Sequence, residues 1–249
     1  SEPAKDLMFL ANSRLEEGGH QRRRGMHPEL DRRALLHSCW GTLTLEAMKK
    51  ASCGNLAEIA WGLATCCLRP DATSRRVLAQ AITSKLNKAR VADVSQIAWA
   101  FASLNREEVE LLHALAAWAV PFKSEFLPQE LSKMVWSMAK ASVEAPAAAR
   151  SLVGEVCLRL PELKAQELSN VAWALAKLAV VEFYHTIAKQ AAVISDLLQP
   201  QGLANVLWAT ASLRASSSLP AALVRASSTM MRHFRPQEFC NFVWAQQLD

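Results

Sequence analysis

The chain has 249 residues and a net charge of +5 from 28 basic and 23 acidic side chains, and 51% of it is hydrophobic although aromatics supply only 7%. Small apolar residues make up the difference, with 42 Ala against 8 Gly, which excludes wholesale disorder and favours helix over sheet. No apolar run reaches the roughly 18 residues a membrane span needs, and the composition keeps one oddity, 8 Trp beside a single Tyr.

Residues 1–50 read as a degenerate helical cap or linker. They hold an arginine run at 22–24, most simply a solvated linker and alternatively a phosphate contact, and no apolar signal core. Trp40 stands 21 residues before a series in which Trp recurs at 61, 99, 136, 173, 208 and 244, at intervals of 38, 37, 37, 35 and 36. The flanks repeat as well: LAEIAWGLA, VSQIAWAFA, LSKMVWSMA, LSNVAWALA, LANVLWATA and FCNFVWAQQ. Each block has a large apolar residue five before Trp, a polar residue three before, and a small residue directly after. Pro-Gln opens three of them, at Pro128, Pro200 and Pro236, where Pro suits the first turn of a helix and a following Glu favours its dipole. The spacing predicts a first helix of about 13 residues and then a break such as Asn105, Glu144 or the serines at 216–218. A second helix follows over roughly 73–89, 106–120, 146–160, 183–198 and 219–234, the second of which contains Trp118, outside the series. Hairpins repeating every 35–38 residues are the signature of an α-solenoid, here over 51–249 as about five full hairpins and a partial or capping sixth.

A helical wheel assigns the faces of the first helix. With Leu168 at zero, Leu175, Ala172, Val171 and Ala176 form the apolar stripe, Asn170 and Lys177 lie opposite, and Trp173 comes at about 140°, on the border. The positions three before and four after Trp are seven residues apart, about two turns, so they share one stripe. Three before, the residues are Glu58, Gln96, Lys133, Asn170, Asn205 and Asn241; four after, Thr65, Ser103, Lys140, Lys177, Ser212 and Leu248. Between them sit Gly62, Ala100, Ser137, Ala174, Ala209 and Ala245. A polar, variable row over a floor of small residues is the pattern of a groove that admits a ligand lengthwise, although solvated surface gives polar positions too. The six series tryptophans, Trp61, Trp99, Trp136, Trp173, Trp208 and Trp244, have two uses open to them. Stacking on bases contributes about 1–3 kcal/mol each in single-strand binders. Wedging between hairpins explains repetition in register better, and packing is the favoured reading.

The fourth and third blocks, Gln-Glu-Leu-Ser-Asn-Val-Ala-Trp-Ala-Leu-Ala-Lys-Leu from Gln166 and Pro-Gln-Glu-Leu-Ser-Lys-Met-Val-Trp-Ser-Met-Ala-Lys from Pro128, resemble the octotricopeptide and heptatricopeptide repeats. These form a class of organellar RNA-binding helical-repeat proteins often found with a terminal RAP domain. The resemblance covers 56–249 and implies a right-handed α-solenoid, an organellar address with the mitochondrion favoured over the chloroplast, and single-stranded RNA on the concave face. It also implies base contacts from the residues three before and four after each Trp. The chain departs from the pattern in having no RAP-like domain, and its last block turns polar at Gln246, Gln247 and Asp249.

The function expected is therefore a non-catalytic RNA-binding helical repeat for rRNA or mRNA, with basic residues such as Lys133, Lys140, Lys177 and Arg214 on phosphates. The rival is a structural or protein-interaction solenoid within an organellar ribosome or other large complex. Catalysis is disfavoured, since the sequence has no nucleophile elbow, phosphate loop or HExxH. The six His are scattered and the six Cys show no CxxC spacing, so no metal, cofactor or small-molecule substrate is expected. His113 and His185 read as structural, and the Cys66-Cys67 pair as buried.

Overall fold

A computed structural model describes residues 45–104, 108–213 and 221–245. Outside these lie most of the expected cap with the arginine run and Trp40, the breaks at Asn105 and 216–218, Arg214, and the polar end at 246–249 with Leu248. Among the described residues the chain is all-α, with no strand. Twelve helices run α1 Leu45–Lys50, α2 Cys53–Thr65, α3 Ala72–Thr83, α4 Val91–Leu104, α5 Val109–Ala119, α6 Pro128–Lys140, α7 Pro146–Leu158, α8 Ala165–Leu178, α9 Tyr184–Val193, α10 Pro200–Leu213, α11 Ala221–Met230 and α12 Pro236–Ala245. Among the described residues none is long and apolar enough to cross a membrane.

The Trp-bearing first helices are α2, α4, α6, α8, α10 and α12, and their ends follow from recurring residues. Pro128, Pro200 and Pro236 each occupy the first helical position, where the missing N–H costs nothing. In α6, α8 and α12 the third residue is the acid expected for the dipole, and it also makes a bond. The carboxylates of Glu130, Glu167 and Glu238 accept from the backbone N–H of Leu127, Lys164 and Arg235 at 2.8, 2.9 and 2.7 Å. This is the return half of a capping box, since the residues before these helices have no side-chain acceptor to supply the other half. The C-terminal ends of α2, α6 and α8 are Schellman motifs. Cys67, Ser142 and Ala179 adopt left-handed φ of 54°, 55° and 54°. The next N–H in each case, of Leu68, Val143 or Val180, reaches back to Leu63, Met138 or Leu175 O at 2.9, 2.9 and 3.0 Å. The apolar residues that bracket each motif are buried.

The second helices are shorter than the apolar periodicity of the sequence. Each ends early and tightens into a three-residue 3₁₀ turn: Leu86–Lys88, Lys123–Glu125, Leu160–Glu162, Ser195–Leu197 and Met231–His233. An extended residue follows each turn, Ala89, Phe126, Leu163, Leu198 or Phe234, and leads into the next first helix. Phe126, Leu163 and Leu198 are buried there, as are Leu131, Leu168 and Leu203 five residues later, the arrangement of a hydrophobic staple. The apolar pattern thus continues while the helix does not.

The described chain divides into two compact units that meet between Leu115 and Ala116, within α5. In the first, α2 lies beside α4, and α1 packs on α3. In the second, α6, α8, α10 and α12 lie side by side in chain order, and α7, α9 and α11 pack on α6, α8 and α10 respectively. Small residues allow this approach. Ser132 Oγ of α6 donates to Glu167 O of α8 at 3.1 Å, and a Cβ on Gly202 of α10 would sit 3.2 Å from Ser169 Oγ of α8. Tyr184 of α9 ties its hairpin to the next, its buried hydroxyl sharing a hydrogen bond with Thr210 of α10. Trp118 stacks on Phe122 with ring centroids 4.6 Å apart and fastens the turn after α5. Cys66 is buried as the sequence suggests. Cys67 is exposed, because the left-handed turn swings it outward, and His185 is exposed on α9.

Candidate nucleic-acid interface

In the second unit the wheel positions become one outward stripe per first helix. On α8 it comprises Asn170 and Trp173, both half-buried, and Lys177, exposed. On α6 Lys133, Trp136 and Lys140 are all half-buried, as are Asn205, Trp208 and Ser212 on α10. On α12 Asn241 is half-buried and Trp244 exposed. Because the four helices neighbour one another in order, these residues form successive rungs of one polar and aromatic surface.

The Trp rings meet across helices. Trp136 and Trp173 have centroids 6.3 Å apart at 36°, and Trp208 and Trp244 6.4 Å at 31°, both tilted pairs. One edge of each ring is therefore committed to its neighbour while the other stays at the surface. Lys140 Nζ stands 5.9 Å from the Trp136 centroid, a cation over a ring face. Among the described residues Lys133, Lys140 and Lys177 have no ion-pair partner, since the glutamates in the first turns are spent on helix caps. The stripe is thus cationic as well as amide-rich.

A further row, not singled out in the sequence, lies on the same stripe. Gln129, Gln166, Gln201 and Gln237 stand seven before each Trp of this unit, and all four are exposed. Gln166 Nε2 donates to Asn170 Oδ1 at 3.0 Å, and Gln237 Nε2 to Asn241 Oδ1 at 3.1 Å. In both pairs the Gln carbonyl and the Asn amine have no hydrogen-bond partner among the described residues and can meet a ligand's donor and acceptor. The Pro-Gln pairs carried the signal, but their use as helix-start markers masked it.

In the first unit the stripe comprises Glu58, Trp61 and Thr65 on α2, with Gln96, Trp99 and Ser103 on α4. Gln96 Nε2 donates to Ala57 O of α2 at 3.2 Å, so this amide is spent on the neighbouring backbone. Glu58 makes the α2 rung acidic, and no Gln stands seven before either Trp, the residues there being Gly54 and Ala92. The small row differs from its expected place in both units. Gly62, Ala100, Ser137, Ala174, Ala209 and Ala245 are all buried, on the helix flanks rather than on an open floor. Small size there serves helix contact, not ligand contact. The Ser212 hydroxyl is likewise shielded from solvent and has no hydrogen-bond partner among the described residues.

Among the described residues no group of three His, Cys, Asp or Glu is placed to hold a metal ion. Lys177 also borders an open cavity of about 530 Å³ beside Glu144 and Pro146. No family model and no curated protein sequence matches the chain.

Proposed function

We propose that the chain is a non-catalytic RNA-binding helical-repeat protein of the octotricopeptide and heptatricopeptide type. In this reading it is a right-handed α-solenoid that holds single-stranded organellar RNA, rRNA or mRNA, along the outward stripe of its first helices. The observation that carries the reading is that stripe: Gln, then a variable polar residue, then Trp, then Lys or Ser, on helices that neighbour one another in order. One nucleotide per repeat is the natural stoichiometry, as in other helical-repeat readers. The Asn170, Asn205 and Asn241 amides meet base edges, which lie within reach of their paired or neighbouring Gln. Lys133, Lys140 and Lys177 meet phosphates. The Trp rings chiefly hold the rungs in register and lend an exposed edge. The address, mitochondrial in preference to chloroplast, follows from the repeat resemblance.

Affinity for single-stranded RNA, measured against ionic strength, tests this. The slope of log K on log salt should be about −0.7 per phosphate contacted, and replacing all three lysines by Gln should flatten it by about 2. Asn170→Ala with Asn205→Ala should weaken binding to a preferred RNA and loosen sequence preference. Unchanged affinity for every RNA in both variants removes the stripe as the site.

A second reading is supported by α12, where Phe239, Val243 and Trp244 are 45%, 42% and 45% exposed. Exposed apolar residues of that size favour a protein partner, and the chain would then be a structural subunit of an organellar ribosome or other large complex. Association through that face depends little on salt, which separates it from the first reading.

A further inference from the structure

A second cationic feature lies in the first unit, where the α2 stripe begins. Where α2 and α4 begin, next to the 3₁₀ turn Leu86–Lys88, there is an open cavity of about 580 Å³. Lys50, Lys85, Lys88 and Arg90 line it against a single carboxylate, Asp93, which leaves a net charge of +3. Gly54, seven before Trp61 on α2, borders it, whereas Trp61 stands eight residues beyond Cys53, about 12 Å further along the α2 axis, so the cavity lies at the N-terminal end of that helix's stripe, away from its Trp.

The cations are not equivalent. Arg90 forks onto Asp93, with Nε 3.1 Å from Oδ2 and Nη2 2.7 Å from Oδ1. The guanidinium is thus fixed and its planar fork already occupied. Lys85 Nζ donates to Lys49 O of α1 at 2.6 Å, which holds the ammonium in place with two donors left over. Among the described residues Lys50 and Lys88 have no ion-pair partner. Ser52, Ser84 and Asn87 complete the lining, the two serine hydroxyls already donating to Asn55 Oδ1 and Ala81 O.

This donor set selects among anions. A planar carboxylate is best matched by an arginine fork, and Asp93 has taken the one present. Separate ammonium groups arriving from several sides suit a tetrahedral anion, which accepts in every direction. The volume lies within the about 300–1,000 Å³ range of small-molecule sites, so there is room for the group that carries the phosphate. We propose that this cavity is a phosphate-binding site, taking either a free phosphomonoester such as a mononucleotide or a phosphate of a nucleic-acid strand.

The full chain should be titrated with inorganic phosphate, a nucleoside 5′-monophosphate and a short single-stranded RNA. The same titrations are run on Lys85→Gln/Lys88→Gln, on Lys50→Gln/Lys88→Gln, which keeps the Lys85 bond to α1, and on the Lys133/Lys140/Lys177→Gln variant. Circular dichroism checks that each is folded. The expected result is an affinity loss of about tenfold in both cavity variants for at least one probe. Loss for phosphate or the mononucleotide identifies a free ligand, and loss for RNA alone identifies a strand phosphate. The stripe variant should leave phosphate and mononucleotide binding unchanged, so failure of the stripe reading is seen separately. If the wild type binds none of the probes, or the cavity variants bind all of them as wild type does, the proposal is overturned.

Discussion

Raising the pH beyond the usual range of phenols should ionise Tyr184 late, and only as structure is lost. This residue is the only Tyr of the chain and is 1% exposed at the start of α9. Its hydroxyl shares a hydrogen bond with Thr210, which itself donates to Val206 O at 2.9 Å within α10. Burial outweighs that hydrogen bond and pushes the phenol up from 10.0 to about 12. Because the folded value is the raised one, the stability involved is fully present below pH 10.0 and is lost as the pH climbs through about 12. At 1.36 kcal/mol per unit, that gap corresponds to about 3 kcal/mol. Near-ultraviolet phenolate absorbance followed beside helical circular dichroism measures it, since Trp does not ionise in this range. The absorbance midpoint should fall near 12 or coincide with the loss of helix. Tyr184→Phe should remove this alkaline loss and cost only about 1 kcal/mol at neutral pH, because Thr210 keeps its bond to Val206. A phenolate rise centred near 10 with the helical signal intact would refute the burial of Tyr184 and with it the tie between α9 and α10.

Ala179 ends α8 at φ 54°, where a side chain is strained by about 1–2 kcal/mol. Set against the greater chain entropy of unfolded Gly, Ala179→Gly should stabilise by about 0.5–1 kcal/mol, seen as a higher urea midpoint with unchanged m; a lower midpoint contradicts the left-handed cap. Thiol labelling at pH 8, read peptide by peptide in a mass spectrometer, should modify exposed Cys67 and Cys240 first. Cys53 and Cys157, whose thiols burial pushes up to about 11, should lag far behind, and equal rates would contradict their placement.

The first helices were legible because their signals are local and repeated. Trp fixes the register, Pro marks the start, and the apolar stripe has helical period throughout. The second helices were overestimated because Leu86, Leu160 and Leu198 continue the apolar pattern through 3₁₀ turns and extended residues, which burial alone does not distinguish from helix. The ends of the first helices α2, α6 and α8 lacked the usual glycine signal, since Cys67, Ser142 and Ala179 take the left-handed positions. In the second unit the residues three before Trp, with Lys140 and Lys177 four after, lie on one stripe as the wheel has them, whereas the Ser212 hydroxyl is shielded and Leu248 lies outside the described residues. The wheel could not show that Gln96 is bonded to the α2 backbone, because that contact spans 39 residues of sequence. It also misplaced the small row, since a wheel gives an angle but not which neighbour covers it. The Gln row was present at the same wheel angle and needed only the outward direction of the stripe to be recognised.

Crosslinking bound single-stranded RNA to the full chain with ultraviolet light, then mapping nucleotide adducts to peptides, tests the central proposal most directly. Adducts should concentrate on α6, α8, α10 and α12, at Trp and at the polar positions three and seven residues before it. Adducts confined to the second helices, or none at all under conditions where the chain still joins a protein complex through α12, would contradict it.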